Sequence, residues 1–446
     1  MDSSSPNPPP HKLKTPPPKP LKKNKSTISF IYTISCILLV ITFQALAILR
    51  TSSPLLHQSQ SPDELGGPTF HPLKDPKVPP YTHPNKTWFM STLTGQSLHG
   101  MPEHFIFPSH PPHNMTLCMN SRERSYALVA APPNAASLLR GLTVVVDSFY
   151  DYENPWHSVN ALSVFFSWMM ENECARPARF VVFRNGAVVK RIGGWMSEVM
   201  RACLGRGNEG LDGLEGYGSV CFEKAVVFRR GLGKMSTERR HRLFEMIRCK
   251  AWEYCNAKAV HKDVGGVKIT LIGRDGKRAF RNESGMKLVM ERECSKVGGC
   301  SLQVVHLKNM SFCDQVIRMR NTNILATAHG AQLSNMMFMA KGSTVMEMFP
   351  KGWLEGAGIG QYVYQWFASW CQMSYGAWRD ATSDGVDCPD TKDKDRNRNC
   401  FFKHKDEAVG MNETFLAEWT ASVIQTQIST AATVQISQGC QCDDGQ

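Results

Sequence analysis

Neither a Gly-x-Ser-x-Gly elbow nor a His-Glu-x-x-His helix occurs in the 446 residues, so the chain carries no motif-borne signature of a serine hydrolase or a zinc protease. No internal repeat is visible, which argues against a solenoid or a propeller. Cys440 and Cys442 lack a second ligand pair at finger spacing, so a zinc finger is set aside. Acidic residues are nearly missing from the first 25 positions, where Asp2 stands alone against Lys12, Lys14, Lys19, Lys22, Lys23 and Lys25. That stretch therefore holds +5 of the chain's +12 and leaves +7 for the rest, a balance that calls for no nucleic-acid partner. It also holds eight prolines and low-complexity Ser and Lys, a composition unable to bury a core.

One long apolar run is present. Residues 28–49 are uncharged over 22 positions, and a bilayer core needs roughly 20 helical residues. Lysines lie before this run and only Arg50 begins the far side, so the positive-inside bias predicts a cytosolic N-terminus and a type II signal anchor. Ala45-Leu46-Ala47 resembles a signal-peptidase site, but a cleaved signal has an apolar core of only about 7–15 residues. The expected organisation is a cytosolic disordered tail (1–25), a transmembrane anchor (26–50), a Pro-rich stem (51–87), an N-terminal lobe (88–260), a C-terminal lobe (261–435) and a short tail (436–446).

With Cys36 assigned to the membrane, fourteen of the fifteen cysteines remain beyond the anchor, an even number suited to an oxidising lumen. Proximity favours Cys249 with Cys255 and Cys294 with Cys300, and it would let Cys388 and Cys400 tie down the polar loop after Trp378. Sequons at Asn85, Asn114, Asn282, Asn309 and Asn412 are compatible with this topology.

Strand candidates at Leu142–Val146, Phe180–Phe183 and Ala225–Phe228 alternate with helices at Val159–Met170 and from Thr237 to about Cys255. A second series follows at 267–272, Leu302–His306, Ile324–Ala328 and Thr344–Phe349, and residues 413–435 look helical. Alternation of this kind predicts parallel α/β sheets in both lobes.

Residues 324–350 are the most informative: a buried strand, a His329-Gly330-Ala331 turn, a short helix opened by Ser334, and a second strand ending in Glu347. In an α/β protein this layout places backbone N–H groups and a helix N-terminus at a strand's carboxyl end, where an anionic diphosphate is best held. Arg274 and Arg278 follow the strand at 267–272, with Arg281, Asn282 and Glu283 beyond. Guanidinium groups there can converge on the same diphosphate from a neighbouring strand, each binding two oxygens.

Three segments, Arg274 through Arg278 to Asn282-Glu283, His329-Gly330-Ala331-Gln332-Leu333, and Gly342 to Pro350, resemble the family of plant xylan arabinosyl- and xylosyltransferases. That family also holds the N-glycan β-1,2-xylosyltransferase, the EGF-domain O-GlcNAc transferase and the O-mannose β-1,4-N-acetylglucosaminyltransferase. The last shares Gln at position 332, where most plant members carry Gly, and a similar aromatic stretch at Tyr375-Gly376-Ala377-Trp378-Arg379. The resemblance covers about residues 145–380 and is strongest after 265. It implies a GT-B-like α/β fold of two Rossmann-like lobes with a cleft between them, and inverting transfer from a UDP-sugar to a polysaccharide or glycoprotein glycan at the Golgi membrane. Arg274 and Arg278 would then hold the diphosphate, His329, Gly330, Ala331, Gln332 and Leu333 would wrap phosphates and ribose, and Glu347 would approach the nucleoside. An inverting transfer needs a base for the acceptor hydroxyl, which His157, Asp151 or Glu153 could supply. Arginines can neutralise a diphosphate without metal, so no cofactor is required; Asp151 and Glu153 form the acid-x-acid pair that Mn2+ would use. Trp353, Trp366 and Trp370 are candidates to stack on acceptor sugars, with core packing as the competing role. A non-catalytic UDP- or glycan-binding scaffold of the same fold is the alternative reading.

Overall fold

Apolar runs without alternation become the central strands of the computed structural model, which describes residues 69–70, 86–87, 104–108, 116–122, 125–131, 138–148, 151–184, 187–189, 192–205, 219–228, 235–257, 266–350, 353, 360–381, 402, 404–430 and 440–442. All of them belong to the compact unit Gly66–Gln446. The expected tail and anchor, and the Cys388 and Cys400 pair, lie outside the described residues. Among the described residues no helix is long and apolar enough to cross a membrane. Two dipeptides of the expected stem, β1 (Thr69–Phe70) and β2 (Lys86–Thr87), are paired with each other, and β1 also adds to the first sheet.

That sheet continues with β3 (His104–Phe107), β4 (Thr116–Arg122), β5 (Ser125–Ala131), β6 (Leu138–Ser148), β7 (Arg179–Arg184), β8 (Ala187–Val188) and β9 (Ser219–Phe228). Its order is β2-β1-β5-β4-β9-β6-β7-β8, with β3 also on β9. The central trio β9-β6-β7 is parallel, as expected, but β3, β4 and β5 pair antiparallel. The first sheet is therefore mixed, because residues 104–131 add strands that the apolar-run criterion does not detect. The second sheet, β10 (Lys268–Gly273), β11 (Ser301–His306), β12 (Ile324–Ala328), β13 (Thr344–Pro350) and β14 (Ser374–Ala381), is wholly parallel in the order β11-β10-β12-β13-β14. Every residue of β12 and β13 is buried, as expected of strands covered on both faces. Two α/β sheets with parallel strands thus resemble the double-Rossmann arrangement of GT-B folds.

Helix α1 (Pro155–Glu171) starts where Asn154 caps the Trp156 N–H at 3.0 Å and proline occupies the first turn. The helices α2 (Gly194–Leu204), α3 (Thr237–Tyr254), α4 (Glu283–Ser295), α5 (Phe312–Arg320), α6 (Val363–Trp370) and α7 (Glu413–Thr430) follow. Ser236, Asn282 and Ser311 cap α3, α4 and α5 with their side-chain oxygens. The expected short helix is present as a 3-10 helix, Ala331–Phe338, but it is preceded by Gly330 and not opened by Ser334, which lies buried inside it. One apolar cluster joins the two sheets, running from Val144 and Phe165 through Phe244 to Met336, Val345 and Phe367.

Five disulfides connect described residues: Cys118–Cys221, Cys174–Cys442, Cys249–Cys440, Cys255–Cys313 and Cys294–Cys300. The Cys294–Cys300 pair forms as expected, whereas Cys249 and Cys255 do not pair with each other. Six residues apart at the end of α3, they project about 120° apart around the axis and reach different segments. The cysteines at 440 and 442 are consumed by Cys249 and Cys174, which leaves them no thiolate for zinc.

The Cys255–Cys313 bridge ties α3, which packs on the first sheet's helices, to α5 of the second sheet. Replacing both cysteines by serine should cost about 3–4 kcal/mol and lower Tm by about 5 °C or more, as read by calorimetry.

Candidate functional site

Parallel pairing decides which side chains meet. Register brings Ile272 beside Thr327, and Thr327 beside Glu347, so the residues after β10 and β12 emerge together at one edge of the second sheet. Arg274 Nη1 donates to the His329 carbonyl at 3.2 Å and lies 3.4 Å from Gln332 Oε1. The same carboxamide donates from Nε2 to the Ala328 carbonyl at 2.9 Å, so Gln332 clamps the arginine to the strand end. Gly330 makes this approach possible, since a Cβ there would lie 2.4 Å from Arg274 Nη1 and 2.6 Å from Gln332 Oε1.

Arg278 reaches the same place by a left-handed backbone, φ 59°. A loop from far down the chain fixes it: Arg278 N donates to the Asp406 carbonyl at 3.1 Å, Phe280 bridges Val409, and Trp353 Nε1 donates to the Lys405 carbonyl at 2.8 Å. The Arg278 guanidinium lies 5.6 Å over the Trp353 ring and 3.9 Å from an Asp406 oxygen, whose other oxygen takes Lys277 at 2.8 Å. Among the described residues, the buried Nε atoms of Arg274 and Arg278 make no hydrogen bond. Burial, and then the Arg278 charge, pull the Arg274 pKa below its ordinary value. Burial opposes the Asp406 carboxylate, yet the Lys277 bond and the surrounding cations hold its pKa below the usual range.

His329 lies against Phe349, Trp353 and Tyr364, with ring centroids 4.8, 4.0 and 5.3 Å away. Its Nδ1 is hydrogen-bonded to Glu347, which is fully buried and accepts from the Tyr375 hydroxyl with its other oxygen. Burial first, and then the Glu347 charge, push the Tyr364 phenol's pKa up.

The first sheet reaches this cluster through α1. Trp156 packs 5.5 Å from Tyr364, 5.2 Å from Phe367 and 6.2 Å from Trp370, and Trp195 Nε1 donates to Asn335 Oδ1 at 3.2 Å. His157, the next residue along α1, has Nδ1 3.8 Å from Asp151 Oδ2, and both side chains are partly exposed. Asp151 also accepts from the Asn154 N–H at 2.8 Å. Glu153 is exposed, and its backbone meets Gly193, where a Cβ would come within 2.8 Å of the Glu153 Cα.

Arg274, Arg278, His329, Gly330, Gln332 and Glu347 therefore gather at one strand edge. Ala331 is half-buried at the start of the 3-10 turn, and Leu333 is fully buried in the apolar cluster. His157 and Asp151 adjoin each other beside Trp156. Cys249, Glu253 and Cys440 also converge, but the two cysteines are bonded to each other and offer no thiolate to a metal. The sequence assigns no role to Tyr364, Tyr375, Asp406 or Trp156, although two of them carry a signal, Tyr375 as the first residue of the Tyr375–Arg379 stretch and Trp156 as the aromatic neighbour of His157 after Asn154. Gly330→Ala should displace the Arg274 guanidinium and weaken pyrophosphate binding by about tenfold, measured calorimetrically on the full chain, with the far-UV spectrum unchanged.

The Glycosyltransferase 61 family model matches residues 102–346, more than half of the chain. The chain is 30% identical over 98 residues to the protein O-linked-mannose beta-1,4-N-acetylglucosaminyltransferase 2 of Canis lupus familiaris, covering 22% of this chain and 16% of that protein. It is 34% identical over 84 residues to the Xenopus laevis protein of the same name, covering 19% and 14%. The matched stretch thus spans less than a fifth of these relatives' own length. An oxidoreductase structure from Corynebacterium diphtheriae overlaps 37% of this chain and 98% of its own at 9% identity, with a TM-score of 0.25 that carries no fold argument.

Proposed function

The chain belongs to the Glycosyltransferase 61 family, and from that premise we propose that it transfers a sugar, with inversion, from a UDP-sugar bound at the Arg274–His329 edge to a glycan acceptor. The observation that carries this reading is the pair of half-buried guanidinium groups whose Nε atoms make no hydrogen bond to the described protein, at the carboxyl end of a parallel sheet. A diphosphate matches that charge and geometry, because a phosphate pair can accept several charge-assisted bonds at once.

In this reading Arg274 and Arg278 bind the diphosphate and stabilise the charge that develops on UDP as it leaves. Gln332 and Asp406 position the two guanidinium groups. Glu347, with both oxygens engaged inside the protein, orients His329 instead of touching the nucleoside, and leaves the imidazole Nε2 for the ligand. His157 takes the acceptor proton, with Asp151 behind its Nδ1. The acceptor oxygen forms the new bond to the anomeric carbon, the bond from that carbon to the diphosphate breaks, the electron pair leaves with UDP, and the proton passes to His157. The donor sugar is a pentose, as in the plant members, or N-acetylglucosamine, as the names of the matched relatives have it. In this reading the protein sits at the Golgi membrane with its catalytic part in the lumen, a placement that the uncharged run of residues 28–49 and the family support.

The test is UDP release by the purified full-length chain against a panel of UDP-sugars and oligosaccharide acceptors. Arg274→Ala and Arg278→Ala should each weaken UDP binding at least about tenfold, and His157→Ala should cut turnover by about 100-fold or more while leaving the UDP Kd unchanged. Failure of the wild-type chain to bind UDP would overturn the assignment, and binding without turnover of any donor would instead favour a scaffold.

A further inference from the structure

The three tryptophans that sequence reasoning offered for acceptor stacking separate in the structure. Trp353 is packed on His329, and Trp370 is half-buried between Trp156 and Phe244, its ring 6.2 Å from each at 22° and 9°. Trp366 is 42% exposed, and Tyr362, immediately before α6, is 39% exposed. Their rings lie 6.1 Å apart with a 32° interplanar angle.

Spacing explains the alignment. Positions 362, 366 and 370 are each four apart, so they form one slowly drifting stripe along α6 and span about 12 Å. Buried Tyr364, Phe367 and Ala368 form the opposite face of the same helix, where Tyr364 meets the His329 ring. At its inner end the stripe reaches Trp370, which touches Trp156, the residue before the candidate base. Arg240 lies 5.0 Å over the Trp370 ring at that end. Among the described neighbours of the outer rings, Gln365 and Ser369 are exposed and Gln361 is partly exposed, while Val363 is partly buried against the core.

We propose that Tyr362 and Trp366 form a stacking platform for the acceptor glycan, a subsite that receives sugar residues away from the reacting hydroxyl. The C–H face of a pyranose or pentose ring is weakly positive and apolar, and fits the negative face of an indole or phenol. Rigid aromatic rings hold such a ligand at low entropic cost. Carboxamide and hydroxyl groups beside them match the sugar's hydroxyl rim, whereas a protein helix or a lipid surface would call for aliphatic neighbours. Continuity with Trp370 and Trp156 places the platform on the acceptor side of the proposed donor site, and the assignment rests on the transferase reading.

The experiment uses the full-length chain and three neutral probes, xylohexaose, cellohexaose and mannohexaose, with tryptophan fluorescence and calorimetry, and UDP binding measured in parallel. At least one probe should bind and perturb the fluorescence. Trp366→Ala and Tyr362→Ala should weaken it at least about tenfold and about fivefold, and Trp366→Phe should restore most of the affinity, with the UDP Kd unchanged in all three. Unchanged oligosaccharide affinity in the double alanine variant, no binding of any probe by the wild type, or a change of oligomeric state in Trp366→Ala would overturn the platform. Loss of UDP binding by the wild type would count against the donor site and leave the oligosaccharide result to be read by itself.

Discussion

Two guanidinium charges held at one strand edge are the constraint around which the second sheet is organised. Like charges brought together and partly desolvated repel, and the fold accepts this cost at Arg274 and Arg278. Several features hold the arginines there: the missing Cβ at Gly330, the Gln332 clamp, and the left-handed backbone of Arg278 held by the 404–409 loop. A non-glycine residue in that conformation costs about 1 kcal/mol or more, and such strain persists where surrounding bonds over-determine it. Among the described residues the carboxylate that approaches Arg278 is Asp406, which stops at 3.9 Å and is bound more closely by Lys277. An anion with several oxygens can satisfy both arginines together.

The link between the two sheets is aromatic. Trp156 on α1, Tyr364 on α6 and His329 after β12 form a chain of tilted and edge-to-face ring contacts, which couples the start of α1 to the His329 ring. Behind the imidazole, Glu347 and Tyr375 form a buried polar chain whose members are all satisfied, which fixes one ring orientation. The positions of the His157 end of α1 and of the His329 turn are thereby coupled through packing.

The parallel strands were legible because each is an unbroken apolar run bounded by polar turns. Arg274, His329, Gly330 and Gln332 were legible because they follow such runs directly. Other parts depend on partners distant in sequence, and no local pattern reports them. The pairing of β3 and β4 with β9 and the docking of Asp406 on Lys277, 129 positions upstream, belong to this class. The Cys249–Cys255 expectation is overturned for the same reason, since Cys249 is near Cys255 in the chain but near Cys440 in space. Glu347 was identified from its strand, yet its partner Tyr375 becomes visible only when β14 is laid beside β13.

The central claim is that a diphosphate lies between Arg274, Arg278 and the His329-Gly330 turn. A crystal structure of the chain with UDP bound tests it most directly. The account predicts phosphate oxygens within hydrogen-bond distance of both guanidinium groups, with the Arg274 contacts to His329 and Gln332 retained or exchanged for phosphate. UDP found elsewhere on the molecule, with the two arginines untouched, would contradict it.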